Sequence, residues 1–261
     1  MNILVTGAAG FLGRRLIQAL LERGSLTDRH GQLRPIQRIT AFDRDPVQGL
    51  DDPRVQVKGG DITDPQVLAN LIDANTQGIF HLAAVVSSQA ESDFDLGMRV
   101  NFSATQGLLE RARQLGTCPK WVMTSSVAVF GGQLPDTVGD DQVWSPQSSY
   151  GTQKAMNDLL LADYSRRGFV DGRSLRMPTI VVRPGKPNLA ASSFASGIIR
   201  EPLNGQASVC PVPLNTRLWL MSPAQAIANL VHGHELAAER LSQGRVINMP
   251  GLSQTCLLYT S

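Results

Sequence analysis

A tyrosine and a lysine stand four residues apart in Tyr150-Gly151-Thr152-Gln153-Lys154. On a helix this spacing puts both side chains on one face. A nearby ammonium favours the ionised form of a phenol, so the pair predicts a tyrosine pKa drawn downward. Such a phenol can take a proton from an alcohol near neutral pH. Tyr-x-x-x-Lys also occurs on ordinary amphipathic helices, and the spacing alone leaves both readings open. Ser126 closes a strand in Thr124-Ser125-Ser126, and ligands of open α/β sheets bind at the carboxyl ends of strands. Its hydroxyl can bond an alcohol oxygen and the carbonyl formed from it. Serine pairs also make simple turns, so the combination of Ser126, Tyr150 and Lys154 carries the argument for redox chemistry at a carbinol.

A second group of residues fits a phosphate. Gly7, Gly10 and Gly13 lie in Val5-Thr6-Gly7-Ala8-Ala9-Gly10-Phe11-Leu12-Gly13, between a short apolar strand and a helix. Glycines at these points permit a tight turn, close approach of the backbone to a pyrophosphate, and close packing of helix on strand. The N–H groups at Phe11 and Leu12 would open toward the phosphates. Asp43 ends the next strand, where an acid accepts from adenosine ribose hydroxyls and repels a 2′-phosphate, favouring NAD over NADP. Arg44 follows it and would tolerate that phosphate. Asp61-Ile62 falls after the third strand, where an adenine edge would lie; an N-terminal turn to the next helix explains it as well.

The elements that must hold these residues alternate. Strands are expected at Ile3–Val5, Ile39–Phe42, Val55–Val57, Ile79–Ala84, Trp121–Thr124 and Ile180–Val182. Helices are expected after Gly10 to Gly24, from Asp64-Pro65, over 91–115, and from Tyr150 to Arg167. Residues 25–37 read as a loop. This alternation predicts a parallel sheet covered on both sides. Beyond Pro184 the pattern weakens, with helices expected at Phe194–Arg200 and Pro223–Arg240. Ser253 to Ser261 continue no pattern.

Of 261 residues, 42% are hydrophobic and the net charge is +2, which allows a sizeable core and gives no nucleic-acid footprint. No apolar run approaches the ~20 residues of a membrane span, and a strand pattern from Asn2 leaves no room for a signal peptide. Three scattered cysteines, Cys118, Cys210 and Cys256, fit neither a disulfide framework nor a zinc site, and imply a reducing, cytoplasmic setting. His81 reads as a packed strand residue, and His232 and His234 point to different helix faces, so no metal is expected.

Taken together, the chain resembles the extended short-chain dehydrogenases/reductases, in the NAD-dependent epimerase/dehydratase group. The matching pieces are the Gly7–Gly13 turn, Gly60-Asp61-Ile62, His81-Leu82-Ala83-Ala84, Ser125-Ser126, Val129-Phe130-Gly131, Tyr150-x-x-x-Lys154 and Arg183-Pro184-Gly185. They span about the first 185 residues in the family's order. Phe130 departs from the family's more frequent tyrosine. The resemblance implies a doubly wound Rossmann domain over 1–184. It implies cofactor contacts from Gly7, Gly10, Phe11, Leu12, Gly13, Asp43, Asp61, Ile62, Ala83, Tyr150, Lys154 and Pro184. A smaller, partly irregular substrate cap is expected over 185–261, incomplete or non-native after about residue 252. A homodimer is a further implication.

Within the group, Ala84–Ser88, Glu91–Gly97, Pro187-Asn188 and Ala191–Pro202 resemble dehydrogenases that oxidise a four-carbon sugar acid at C2 with NAD. A carboxylate substrate needs a cation, preferably a bidentate guanidinium. Arg183, Arg200 and Arg217 are the candidates, unranked. Ser87, Asn188 and Ser192 are candidate hydroxyl contacts, with turn or surface roles equally open. A nucleotide-sugar 4-epimerase with tightly held NAD is the alternative. A dehydratase fits less well, because Val127-Ala128 replaces the expected Asp-Glu pair. A non-catalytic cofactor-binding regulator would be expected to lack the tyrosine or the lysine.

Overall fold

The computed structural model describes residues 1–185, 190–241 and 244–256. The amino-terminal half runs β1 (Asn2–Thr6), α1 (Phe11–Arg23), β2 (Ser25–Thr27), β3 (Leu33–Pro35), β4 (Arg38–Asp43), β5 (Val55–Gly59), α2 (Pro65–Leu71) and β6 (Thr76–His81). Then come α3 (Ser87–Ser92), α4 (Phe94–Gly97), α5 (Ala104–Leu115), β7 (Lys120–Ser126), α6 (Ser149–Arg166), β8 (Asp171–Met177) and β9 (Thr179–Ile180). The remainder is α7 (Ser193–Leu203), β10 (Arg217–Met221), α8 (Pro223–Glu235), β11 (Val246–Asn248) and β12 (Leu252–Thr255).

Seven strands form one parallel sheet in the order β11-β8-β7-β6-β1-β4-β5. The order reverses between β1 and β6, and a crevice at such a switch point is where a doubly wound fold takes its ligand. Two apolar layers cover the sheet. Leu16, Ile17 and Leu20 of α1 pack with Ile227 and Leu230 of α8 on one face. Leu108, Leu109 and Ala112 of α5 pack with Trp121 and Leu161 on the other.

Local chemistry explains the element ends. Asp64 caps α2 by accepting from Gln66 N, with Pro65 at the first helical position. Gly24 and Gly116 end α1 and α5 in the left-handed conformation. Gly13 has another role: a Cβ there would stand 2.1 Å from the Gly7 carbonyl oxygen, so only glycine lets α1 start this close to the preceding turn.

Four expectations are corrected. The sixth sheet strand is Asp171–Met177, not Ile180–Val182; Thr179–Ile180 instead joins β10 in a three-stranded sheet. The helix expected over 91–115 starts at Ser87 and is interrupted, with a π-helical stretch at Met98–Ser103. The loop expected over 25–37 contains the β2–β3 hairpin, tied by Asp28, which accepts from His30 N, Gln32 N and Arg34 Nε. Leu252–Thr255 pairs antiparallel with β10. The chain beyond Pro184 also returns to the main sheet through α8 and β11. Among the described residues, no helix is long and apolar enough to cross a membrane, and no group of three or more His, Cys, Asp or Glu could hold a metal.

Two outcomes follow from this packing. Gly13→Ala forces backbone apart at the start of α1 and should cost roughly 1–3 kcal/mol, read as a lower melting temperature in calorimetry. Burial draws His81 down to about 3 and His234 down to about 4. The unfolded chain binds protons on both near the ordinary histidine value, so stability falls as pH drops below about 6.5. Each histidine contributes up to about 1.4 kcal/mol per pH unit. Urea midpoints that do not fall between pH 6.5 and 5.5 would contradict the neutral burial of these rings.

Candidate active site

Helix α6 and the end of β7 bring together the residues expected to do the chemistry. Ser148 caps α6 by accepting from Gly151 N at 3.1 Å, and Glu91 Oε2 accepts from Ser149 N at 2.8 Å. Ser126 Oγ accepts from Ala128 N at 3.1 Å and holds the short turn Val127–Val129. A Cβ on Gly151 would lie 2.2 Å from the Ala128 carbonyl oxygen. The helix therefore rests directly on that turn, which brings Tyr150 next to Ser126.

Lys154 is almost fully buried and donates from Nζ to the Thr124 carbonyl at 2.7 Å. Its Nζ lies 5.6 Å from the Tyr150 ring centroid. Burial draws Lys154 down to about 8, against the opposing carboxylate of Asp158. The expectation for the tyrosine is corrected. Burial pushes the Tyr150 phenol up to about 12, offset first by the Arg183 guanidinium and then by the Ser126 hydroxyl. Removing the phenolate from water outweighs its neighbours, and the cation that acts on it is Arg183 rather than Lys154.

Among the residues expected to meet a dinucleotide, the glycine turn follows β1, which lies at the switch point. Gly7 O accepts from Gly10 N at 3.1 Å, so the turn is closed by its own backbone. Helix α1 then begins at Phe11, Leu12 and Gly13 with no side-chain cap and no acid in its first turn. Those N–H groups suit an anion. Asp43 accepts from Ala9 N at 2.9 Å through one oxygen and from Asp45 N at 3.0 Å through the other. A carboxylate has about four acceptor positions, which leaves capacity for ribose hydroxyls. Ile62 is buried beside Phe42, with Ala83 packed against the same cluster. Asp61 accepts from both the N–H and the hydroxyl of Thr63, which hold its carboxyl below the usual range. Ala83 N donates to Thr6 Oγ1 at 3.3 Å, bringing the β6 end against the turn. Pro184 is exposed just after Arg183. These features fit NAD.

The substrate candidates divide. Arg183 donates from Nη2 to Ser192 Oγ at 3.1 Å, and Arg200 Nη1 donates to the Arg183 carbonyl at 2.6 Å. Ser87 Oγ accepts from Ala191 N at 2.8 Å, tying α3 to the same corner. Thus Ser87, Arg183, Ser192 and Arg200 are brought together, and Arg183 alone of the three arginines acts on Tyr150. Arg200 is also paired with Glu201. Arg217 is exposed on β10 and donates to Ser253 Oγ at 3.1 Å; among the described residues no contact joins it to this corner. Asn188 lies outside the described residues.

Asn101 and Asp158 escape motif reading, and His81 of the His81–Ala84 motif shows its partners only in the fold. Asn101, in the π-helical stretch, accepts from Val85 N and donates to Val85 O and Gln153 Oε1. His81 is held between Thr6 Oγ1 at 2.7 Å and Thr105 Oγ1 at 2.9 Å. Asp158 pairs with Arg176 at 2.9 Å, both buried. Asp158 follows Lys154 by four residues, a spacing that marks the same helix face.

The model of the NAD dependent epimerase/dehydratase family matches residues 3–247. The chain is 63% identical over 255 residues to a D-erythronate dehydrogenase of Cupriavidus necator, covering 98% of this chain and 78% of that protein. It is 46% identical over 256 residues to a D-erythronate dehydrogenase of Haemophilus influenzae, covering 98% and 79%. The crystal structure of a nucleoside-diphosphate-sugar epimerase from Agrobacterium tumefaciens superposes with a TM-score of 0.91 at 45% identity, covering 98% of this chain and 75% of that one. With the switch-point crevice, the uncapped α1 terminus and the Ser126–Tyr150–Lys154 cluster in one fold, the chain belongs to the NAD dependent epimerase/dehydratase family.

Proposed function

We propose that this protein oxidises D-erythronate at C2 to 2-dehydro-D-erythronate with NAD. The observation that carries the reading is a guanidinium, Arg183, set against the phenol that would act as base. A cation beside the base holds a carboxylate one bond away from the reacting carbinol, so a 2-hydroxy acid meets Tyr150 with its C2 hydroxyl. The two relatives named D-erythronate dehydrogenase support the four-carbon acid as the substrate.

Gly7, Gly10, Phe11, Leu12 and Gly13 would receive the pyrophosphate, Asp43 the adenosine ribose, and Ile62, Asp61 and Ala83 the adenine side of the crevice. Pro184 would flank the nicotinamide end. Bound NAD would supply the hydride acceptor. Tyr150 would act as its phenolate, the form that the Arg183 guanidinium and the Ser126 hydroxyl favour against burial, and take the proton of the C2 hydroxyl, while Ser126 orients the oxygen as it becomes a carbonyl. Lys154 would hold the nicotinamide ribose through its ammonium. Arg183 grips the carboxylate, with Ser192 fixing the guanidinium and Ser87 and Arg200 bracing the corner. The C2 hydrogen leaves with its electron pair and the hydroxyl proton goes to Tyr150, so the reaction balances without a metal.

The likeness to a structure titled nucleoside-diphosphate-sugar epimerase supports a second reading, and one assay separates the two. With free NAD and D-erythronate, absorbance of NADH should grow, and Tyr150→Phe should reduce kcat by roughly 10²–10⁴-fold. Interconversion of UDP-sugars with no net NADH would overturn the assignment. Arg183→Met should raise KM for the sugar acid by about ten- to a hundredfold and leave NADH affinity near its parent value in a fluorescence titration. An unchanged KM would remove Arg183 from the carboxylate site.

A further inference from the structure

Behind Lys154 lies a buried charge system that the hydride chemistry does not itself use. Tyr150, Lys154 and Asp158 follow one another at intervals of one turn along the inner face of α6. Asp158 is fully buried. Its Oδ1 accepts from Ser174 Oγ at 2.5 Å and its Oδ2 from Arg176 Nε at 2.9 Å, both from β8. Arg176 is covered by two aromatic faces, Trp144 at 4.0 Å and Phe130 at 5.0 Å from the guanidinium carbon to the ring centroids. Trp144 lies just before α6 and Phe130 just after the Ser126 turn. Aromatic faces attract a guanidinium, so Arg176 does not rely on Asp158 alone for compensation.

The charges do not cancel locally. Asp158 is ion-paired with Arg176, and its charge also acts on Lys154, one turn earlier on the same helix; burial pushes the Asp158 carboxyl up, and Ser174 and Arg176 pull against that. The other groups facing Lys154 are the Thr124 carbonyl from β7, His81 from β6, which burial keeps neutral, and Tyr150 on its own helix. Asp158 is the one carboxylate among them.

We infer that Asp158, clamped by Arg176 and Ser174, is a positioning residue that keeps Lys154 in its ammonium form and fixes α6 over β7 and β8. Without it, burial alone acts on the lysine, which loses its proton at lower pH and binds a ribose less well. The clamp also locks the Phe130 and Trp144 segments to the catalytic helix through one guanidinium.

The inference rests on Lys154 holding the dinucleotide as proposed above, but it does not require turnover of D-erythronate. NADH binding is therefore followed by fluorescence from pH 6 to 10. In the parent, affinity should fall about tenfold as Lys154 titrates near pH 8; Tyr150 and His81 do not titrate in that range. Asp158→Asn keeps the shape and should move this midpoint down by about one pH unit. Asp158→Glu retains the charge and should keep the midpoint within about 0.3 units of the parent. Melting temperatures are recorded alongside. A merely structural Asp158 would lower the melting temperature of Asp158→Asn and leave its midpoint in place, which overturns the inference. So does a parent profile that is flat. If Asp158→Asn does not fold, Asp158→Glu decides: a midpoint lowered despite the retained carboxylate overturns the role. A protein that shows the shift but leaves D-erythronate untouched sinks the substrate assignment alone.

Discussion

Helix α6 lies on the turn after β7 with no side chain between them, because position 151 carries none and the Ala128 carbonyl occupies the space. That contact sets the height of the helix above the sheet. Tyr150, one residue earlier, then meets the hydroxyl that closes β7. Lys154, one turn later, reaches the carbonyl of Thr124 on the same strand. A bulkier residue would lift the helix and separate all three groups at once. Positions 128 and 151 are far apart in sequence, so the arrangement depends on the parallel register of β7 with β6 and β8 being correct first.

The site combines buried cations with a sparing use of carboxylates. Arg183 stands by the phenol, Lys154 by the strand carbonyl and Arg176 between two aromatic rings. Asp158 is the carboxylate set against Arg176 and Lys154, and Glu201 is paired with Arg200. An excess of positive charge at the carboxyl end of the sheet suits an anionic cofactor and an anionic substrate. At the other end, the neighbouring strand residues are balanced differently: Asp171 Oδ1 meets both Arg173 and Arg245 at 2.7 Å. One strand, β8, thus contributes to both arrangements.

The parts that follow a short-range rule were legible in the sequence. The glycine turn, the capped α2, the left-handed end of α1 and the Tyr–Lys spacing all express backbone geometry. Strand β8 was not legible, because Asp171-Gly172-Arg173-Ser174-Leu175-Arg176-Met177 reads as polar although every residue in it is buried. Asp171 and Arg173 pair within the strand, while Asp158 and Arg245 reach it from elsewhere in the chain, and no periodicity records that. The π-helical stretch was hidden for a similar reason: Asn101 leaves the ordinary helical pattern to bond the backbone of Val85. Arg183, Arg200 and Arg217 could not be ranked from sequence, because their difference lies in direction, and only the fold turns the first of them toward Tyr150. The downward pull expected on Tyr150 failed because spacing reports neighbours and not desolvation.

Strand β11 pairs with β8 from about seventy residues further along the chain. Until Val246–Asn248 has been synthesised and docked, the outer edge of β8 presents bare N–H and C=O groups along a strand whose arginines need burial. Asn248 reaches both Arg176 and Asp140 once it arrives. A nascent or clipped chain ending before that point keeps a sticky border open to other polypeptides.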